Sequence, residues 1–157
     1  MAQNTPQSLR DQIPGQVRLG LATLVQDSNS PTADDKAGGN HEEYAVAGRN
    51  EYGDWAISKD KPGAYANPDT NPTVSPSYQP RDQAVANSIV EPLVAAHVHP
   101  SGQTATHNWV QEPSAKDRAG ALPGQINIVF GARDHKVYFF NSAGNIGKPM
   151  KLKDFLP

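Results

Sequence analysis

A chain of 157 residues is long enough to form one domain with its own hydrophobic core. Its net charge of -2 and pI near 6.2 argue against nucleic acid or an anionic membrane as partner, because both attract strongly basic surfaces. The absence of cysteine excludes disulfide bonds and thiolate metal ligands, and no apolar stretch is long enough to span a membrane.

Residues 1–40 are predicted to form an N-terminal helical segment followed by a flexible linker. The first residues are polar, so no cleavable signal peptide is expected. Apolar residues recur at helical spacing between Ser8, a candidate N-cap, and Gln26. Pro14-Gly15 interrupts this pattern, which predicts two short helices or one bent helix. The Gly-rich stretch 27–40 is the predicted linker, and residues 41–157 complete a single compact domain.

Alternating apolar residues predict a sheet in the remainder of the chain. A helix is expected after Ser114, which is a suitable N-cap, with Asp117 in its first turn. The expected class is therefore α+β, with helices packed on a mixed or mostly antiparallel sheet. The predicted elements are a hairpin of 43–47 and 52–58 turned at 49–50, a short strand at 63–66, a helix at 81–88, a buried central strand at 89–97, a hairpin of 126–130 and 136–140, and an edge strand at 148–152.

The central strand ends in two histidines, His97 and His99, which are followed by Pro100. Side chains along a strand alternate between its faces, so both imidazoles lie on the same face and form half of a metal site. Zinc binds histidine nitrogen and carboxylate oxygen, and Asp117 is the candidate third ligand. The alternative interpretation is that the two histidines are simply polar residues at the end of a strand.

The flanking residues favour the metal site. His-x-His-Pro followed by Ser114-x-x-Asp117, with Glu51-Tyr52-Gly53 on an earlier strand, resembles the JAMM metalloprotease motif of the MPN/JAB family. The similarity is greatest to the JAB-like domains at the C-terminal ends of bacterial polymorphic toxins, and it covers about residues 51–141. It implies an MPN/JAB-like (cytidine-deaminase-like) fold with a mixed sheet and flanking helices.

The resemblance also implies the chemistry. The zinc ion (Zn2+) would be held by His97, His99 and Asp117, with Glu51 as the general base and Ser114 donating a hydrogen bond to the oxyanion. The implied reaction is hydrolysis of a peptide or isopeptide bond in a protein substrate.

Three points remain open in this interpretation. Glu42, Glu43 and Glu112 compete with the preferred glutamate for the role of base. His107 is a candidate substitute for the aspartate ligand, although an exposed loop position is the simpler expectation. Thirteen residues, 101–113, separate the proline from the serine, where the family pattern has about seven.

The toxin-like resemblance implies a cellular setting. The expected protein is an effector that is secreted or injected into a target cell without a cleavable signal peptide, and is otherwise cytoplasmic. Its expected partners are a protein substrate, an immunity protein, and a larger carrier or secretion-system component, with no role for nucleic acid or membrane. The alternatives are a phage-tail or housekeeping JAB peptidase and a metal-free MPN-like scaffold.

Overall fold

The computed structural model describes residues 4–69 and 89–157 of the chain. These ranges contain short helices and a sheet, so the protein has an α+β fold, as predicted. No helix within them is both long enough and apolar enough to cross a membrane. In chain order the elements are α1 (Pro6–Asp11), α2 (Gly15–Asn29), β1 (Tyr44–Asn50), β2 (Trp55–Lys59), β3 (Ile89–His99), α3 (Ala115–Ala119), β4 (Ile126–Gly131), β5 (Lys136–Asn141), β6 (Gly144–Asn145), β7 (Met150–Lys151) and α4 (Leu152–Phe155).

Seven strands of the described ranges form one open mixed sheet. The order is β2-β1-β3-β4-β5-β6, and β7 also pairs with β5. β3 and β4 run parallel, whereas the other pairs are antiparallel. The 11-residue β3 is therefore hydrogen-bonded on both sides, which holds its C-terminal histidines in a rigid position.

The N-terminal region contains two helices rather than one bent helix. Pro14 precedes α2, which agrees with the predicted break. The prediction of Ser8 as the first N-cap is wrong, because the cap is Thr5 and a proline occupies the first helical position. The side chains of Thr5 and Ser8 accept hydrogen bonds from each other's backbone N–H, at 3.1 and 2.8 Å.

The main hydrophobic core lies between α2 and one face of the sheet. Leu21 and Leu24 of the helix are fully buried against small and branched side chains of the central strands. At one end of this core, Phe155 of α4 meets the ring of Phe130 edge-on, with centroids 5.5 Å apart. The short C-terminal helix, which sequence analysis did not predict, therefore belongs to the core.

Most predicted strands exist, with shifted ends. The predicted hairpin of 126–130 and 136–140 is confirmed as β4 and β5. The first hairpin is also present, but its turn is at 51–54 rather than at 49–50. Residues 63–66 do not form a strand, and only two residues of 148–152 do. The helix predicted at 81–88 lies outside the described residues.

Gly48 provides a test of how closely the strands pack. It lies where the register of β1 against β3 shifts, and a Cβ atom there would overlap the carbonyl oxygen of Glu91 and approach Cα of Pro92 to 2.9 Å. We expect Gly48→Ala to lower the free energy of unfolding by about 1–3 kcal/mol, because backbone atoms must move to admit the methyl group. Urea unfolding followed by circular dichroism measures the change.

Gly120→Ala is the matched control. Its added Cβ would lie 3.6 Å from the carbonyl oxygen of Lys116, which is an ordinary contact. We expect a change within about 0.5 kcal/mol for this variant. Equal stability of the two alanine variants would contradict the close approach at Gly48.

Candidate metal centre

Two buried histidines lie at the C-terminal end of β3. His97 and His99 point to the sheet face opposite α2 and are only 7% and 8% exposed. Their ring centroids are 5.2 Å apart and the ring planes are inclined by 57°. Because β1 and β4 pair with β3 on either side, backbone hydrogen bonds fix the spacing of the two rings.

Helix α3 brings a carboxylate to these histidines. Ser114 caps the helix, and its Oγ accepts a hydrogen bond from the backbone N–H of Asp117 at 3.0 Å. In return, Oδ2 of Asp117 accepts a hydrogen bond from the backbone N–H of Ser114 at 2.8 Å. This capping box holds the carboxylate in one orientation, so Ser114 positions Asp117 directly.

His97, His99 and Asp117 converge on one point. Nε2 of His97 lies 3.1 Å from Oδ1 of Asp117, and Nε2 of His99 lies 3.0 Å from Oδ2. Each residue has one nitrogen or oxygen atom suited to bind a metal, and these three atoms lie within 4.8 Å of one another. The nitrogen-to-oxygen separations are close to the roughly 3.4 Å between ligands of a tetrahedral zinc site.

The protonation of this cluster favours a cation at its centre. Nδ1 of His99 is buried and has no hydrogen-bond partner among the described residues, and the buried Nε2 of His97 contacts Asp117 at 3.1 Å without hydrogen-bond geometry. Burial lowers the pKa of His97 more than Asp117 raises it, which favours a neutral imidazole. Burial also raises the pKa of Asp117, but contacts with His97 and His99 bring it well below its usual range. Two imidazole nitrogens facing a carboxylate match the donors of a divalent metal such as zinc.

Glu42 lies next to the cluster. Tyr44 pairs with His97, and the backbone N–H of Val98 donates to the carbonyl oxygen of Glu43 at 3.0 Å. Continuing this antiparallel register by one residue sets Glu42 beside His99 on the same face. Its carboxyl group is buried, and Oε2 has no hydrogen-bond partner in the described part of the chain. Burial, with the nearby charge of Asp117, raises the pKa of Glu42 well above its usual range.

Glu51, the base preferred from the sequence, is not at this site. It lies in the exposed turn between β1 and β2. Asn50, its neighbour, pairs with Ile89 at the opposite end of β3 from the histidines. Eight residues of strand separate Ile89 from His97, which corresponds to about 26 Å. Of the glutamates considered, the structure brings Glu42 to the histidines, and it turns the side chain of Glu43 to the other face.

The long loop between Pro100 and Ser114 is held in place by Gln111. The Gln111 side chain is buried; its Nε2 donates to the carbonyl oxygen of Pro100 at 2.9 Å, and its Oε1 accepts from the backbone N–H of Arg133 at 2.8 Å. His107 is exposed and its Nδ1 lies 2.7 Å from Oδ1 of Asp69, so it is not a substitute metal ligand. The loop, longer than in the family pattern, is therefore anchored by Gln111, and α3 after it still lies beside the histidines.

A cavity of about 260 Å³ adjoins the candidate ligands. Its walls combine aromatic and amide side chains with two of the candidate ligands. The principal lining residues are Tyr44, Ala95, His97, Asp117, Asn127 and Phe140.

A second buried cluster fixes the start of β1 from the opposite face. Nδ1 of His41 lies 2.7 Å from Oδ2 of Asp35, and Nε2 lies 3.0 Å from Oε1 of Glu43. Asp35 also accepts hydrogen bonds from two backbone N–H groups of the loop 30–40, so the predicted linker is a closed loop. His41 and Glu43 flank Glu42 in sequence, and their fixation orients Glu42 towards the metal ligands. Sequence analysis assigned no role to His41.

The donor set leads to a prediction on metal content. We expect purified protein to take up about one zinc ion per chain, and the double variant His97→Ala/His99→Ala to take up none, because two of three ligands are lost. Elemental analysis after dialysis against zinc measures the stoichiometry. The exposed histidines provide the control variant, His107→Ala/His135→Ala, which should bind zinc like the wild type. Equal zinc in all three proteins would contradict the assignment.

The second cluster leads to a prediction on pH. Burial lowers the pKa of His41, but Glu43 and Asp35 outweigh it, and the net pKa lies above the ordinary 6.5. The charged imidazole therefore stabilises the fold fully below about pH 6.5, and this stabilisation is lost as pH rises through the folded-state pKa. We expect His41→Gln to cost about 3–5 kcal/mol of unfolding free energy at pH 6 and less at alkaline pH. Urea unfolding of both metal-free proteins from pH 6 to 9 measures the difference, and a constant difference would contradict the charged state.

The chain matches no protein-family model, no curated protein and no solved structure. The arrangement of the candidate ligands and of Glu42 therefore carries the functional interpretation.

Proposed function

We propose that the protein is a zinc-dependent hydrolase of the JAMM type that cleaves a peptide or isopeptide bond in a protein substrate. The observation that carries this proposal is the convergence of His97, His99 and Asp117 beside the buried carboxyl group of Glu42. Two imidazoles, one carboxylate and a neighbouring acid are the groups that metal-assisted amide hydrolysis requires.

Each residue of the site has a role in this chemistry. A bound zinc ion would supply Lewis acidity, polarising the scissile carbonyl group and making water more acidic. Glu42 takes the role of general base: its carboxylate accepts a proton from the attacking water and delivers it to the leaving amine. Burial raises the pKa of Glu42, and a raised pKa favours the step in which the protonated carboxyl group delivers its proton to the leaving amine.

Ser114 contributes by orienting Asp117, and we retain its hydroxyl group as the proposed donor to the oxyanion. The adjoining cavity would receive the residue next to the scissile bond. Asn127, buried on its wall, can hydrogen-bond to a substrate backbone through its side-chain amide.

Membership of the MPN/JAB fold family is part of the same proposal. An open mixed sheet with helices on both faces, and a His-x-His pair at the end of its central strand, is compatible with it. The Glu51-Tyr52-Gly53 element does not support it, since those residues form a distant exposed turn. The likeness therefore rests on the histidines, on Ser114 and Asp117, and on Glu42 in place of Glu51.

The proposed setting is that of a bacterial toxin or effector, secreted or injected into a target cell, with an immunity protein as its inhibitor. This part of the proposal is supported by the sequence resemblance alone. A phage-tail or housekeeping peptidase would use the same residues, and only the substrate would distinguish these settings.

A pair of glutamate variants tests the function. We expect Glu42→Gln to lower the rate of cleavage at least about 100-fold, because the amide cannot accept the proton, while zinc binding is retained. Glu51→Gln should cleave at a rate within about twofold of the wild-type rate. Mass spectrometry of a proteome-derived peptide library, and of isopeptide-linked ubiquitin dimers, detects the products and their rates.

Removal of metal is the second arm of this test. A chelator should abolish cleavage and added zinc should restore it. If Glu51→Gln loses activity and Glu42→Gln keeps it in full, the general base is Glu51. Absence of cleavage by zinc-loaded wild-type protein on both substrate classes would overturn the peptidase proposal.

A further inference from the structure

Three exposed lysines cluster at the end of the sheet. Lys136 of β5 pairs directly with Lys151 of β7, and Lys153 follows in α4. Like charges that face each other across antiparallel strands destabilise a sheet. None of the three forms a salt bridge with any carboxylate in the part of the chain that the structure describes. This end of the sheet therefore carries a concentrated positive charge that no carboxylate of the described residues pairs in a salt bridge.

These lysines surround a shallow cavity with an apolar floor. The cavity has a volume of about 450 Å³ and is also lined by Leu152 and Leu156, which are half-buried. Asp134 reaches the rim, but its carboxylate accepts hydrogen bonds from the Tyr138 hydroxyl group and from the backbone N–H of Lys136. We call the surface formed by Lys136, Lys151, Lys153, Leu152 and Leu156 the lysine patch.

The C-terminal part of the chain, which contains this patch, is positively charged, whereas the rest of the chain is negatively charged. Residues 133–157 contain five basic and two acidic side chains, whereas residues 1–132 contain nine basic and fourteen acidic ones. A positive patch on an otherwise negative chain directs an acidic partner to one place by complementary potential.

The lysine patch shares a face with the candidate metal centre. His99 pairs with Gly131, Gly131 with Lys136, and Lys136 with Lys151, so these residues form one row across the sheet. Residues in one cross-strand row point to the same face, and neighbouring strands are about 4.8 Å apart. Lys136 and Lys151 are therefore about 10 and 15 Å from His99 along the row.

We propose that the lysine patch is a docking surface for an acidic segment of a partner protein, with apolar side chains of that segment packed on Leu152 and Leu156. Nucleic acid is the less suitable occupant, because the patch has three lysines, no arginine and no exposed aromatic ring for base stacking. The proposal does not depend on zinc or on hydrolysis.

Peptide binding tests the proposal on the full-length protein. The probe is a fluorescent twelve-residue peptide with six acidic and three leucine residues, compared with the same peptide carrying glutamine and asparagine at the acidic positions. We expect the acidic peptide to bind at least tenfold more tightly, and its affinity to fall as salt rises from 50 to 300 mM. Fluorescence anisotropy measures both affinities.

Charge-reversal variants locate the binding. Lys136→Glu/Lys151→Glu should weaken binding of the acidic peptide at least tenfold, and the matched variant Lys36→Glu/Lys61→Glu, at exposed positions elsewhere, less than threefold. The single variant Lys136→Glu should bind more weakly and yet melt about 1–3 °C higher, because it removes the repulsion with Lys151. Lys136→Gln/Lys151→Gln provides a milder change if the reversed pair does not fold.

Several results would overturn the docking surface. These are equal affinity for the acidic and neutral peptides, equal weakening by both double variants, or no binding of the acidic peptide at 1 mM. A labelled single-stranded DNA dodecamer that binds the patch more tightly than the acidic peptide would identify a nucleic-acid surface instead.

Discussion

The antiparallel register between β1 and β3 is the constraint on which the site depends. Tyr44 opposes His97, and the hydrogen bond from Val98 to Glu43 continues this register beyond the end of β1. Since side chains alternate with a period of two, this pairing places Glu42 beside the candidate metal ligands and the side chain of Glu43 on the opposite face. A shift by one residue would exchange the two glutamates and disconnect both clusters.

Both faces of the first strand carry buried charge, and the two sides are balanced differently. On one face, His41 lies between Asp35 and Glu43, and each imidazole nitrogen contacts a carboxylate, so a charged His41 offsets one of the two negative charges. On the other face, Asp117 and Glu42 are buried beside His97 and His99, and burial lowers the pKa of His97 and raises that of Glu42. A buried carboxylate is stable only where positive charge or hydrogen bonds compensate it, and a cation bound by His97, His99 and Asp117 would supply such charge. This difference favours a structural role for the His41 cluster and supports the proposal of a metal ion at the other one.

Local patterns predicted the elements better than they predicted the site. The central strand, the hairpin after 125 and the helix capped by Ser114 follow from apolar alternation and capping chemistry, which act over a few residues. The sequence favours Glu51 as the base because Tyr52-Gly53 follows it, as in the resembling family. Which glutamate reaches the histidines is decided by the register between β1 and β3, which no local pattern records. The contacts of Gln111 join residues 11 and 22 positions away, and no short-range pattern records them.

The loop anchored by Gln111 explains why His97, His99 and Asp117 still meet, although the spacing between Pro100 and Ser114 is longer than in the family pattern. What a metal site requires is the position of Asp117, and that position is set by α3 and its cap rather than by the length of chain that precedes it. Gln111 ties the end of the loop to Pro100 and to the β4–β5 turn, so the loop returns to the sheet whatever the length of its exposed part. Since the entropic cost of closing a loop grows only with the logarithm of its length, doubling such a loop adds about 0.6 kcal/mol. One buried side-chain amide with hydrogen bonds on both sides is sufficient to offset a cost of that size.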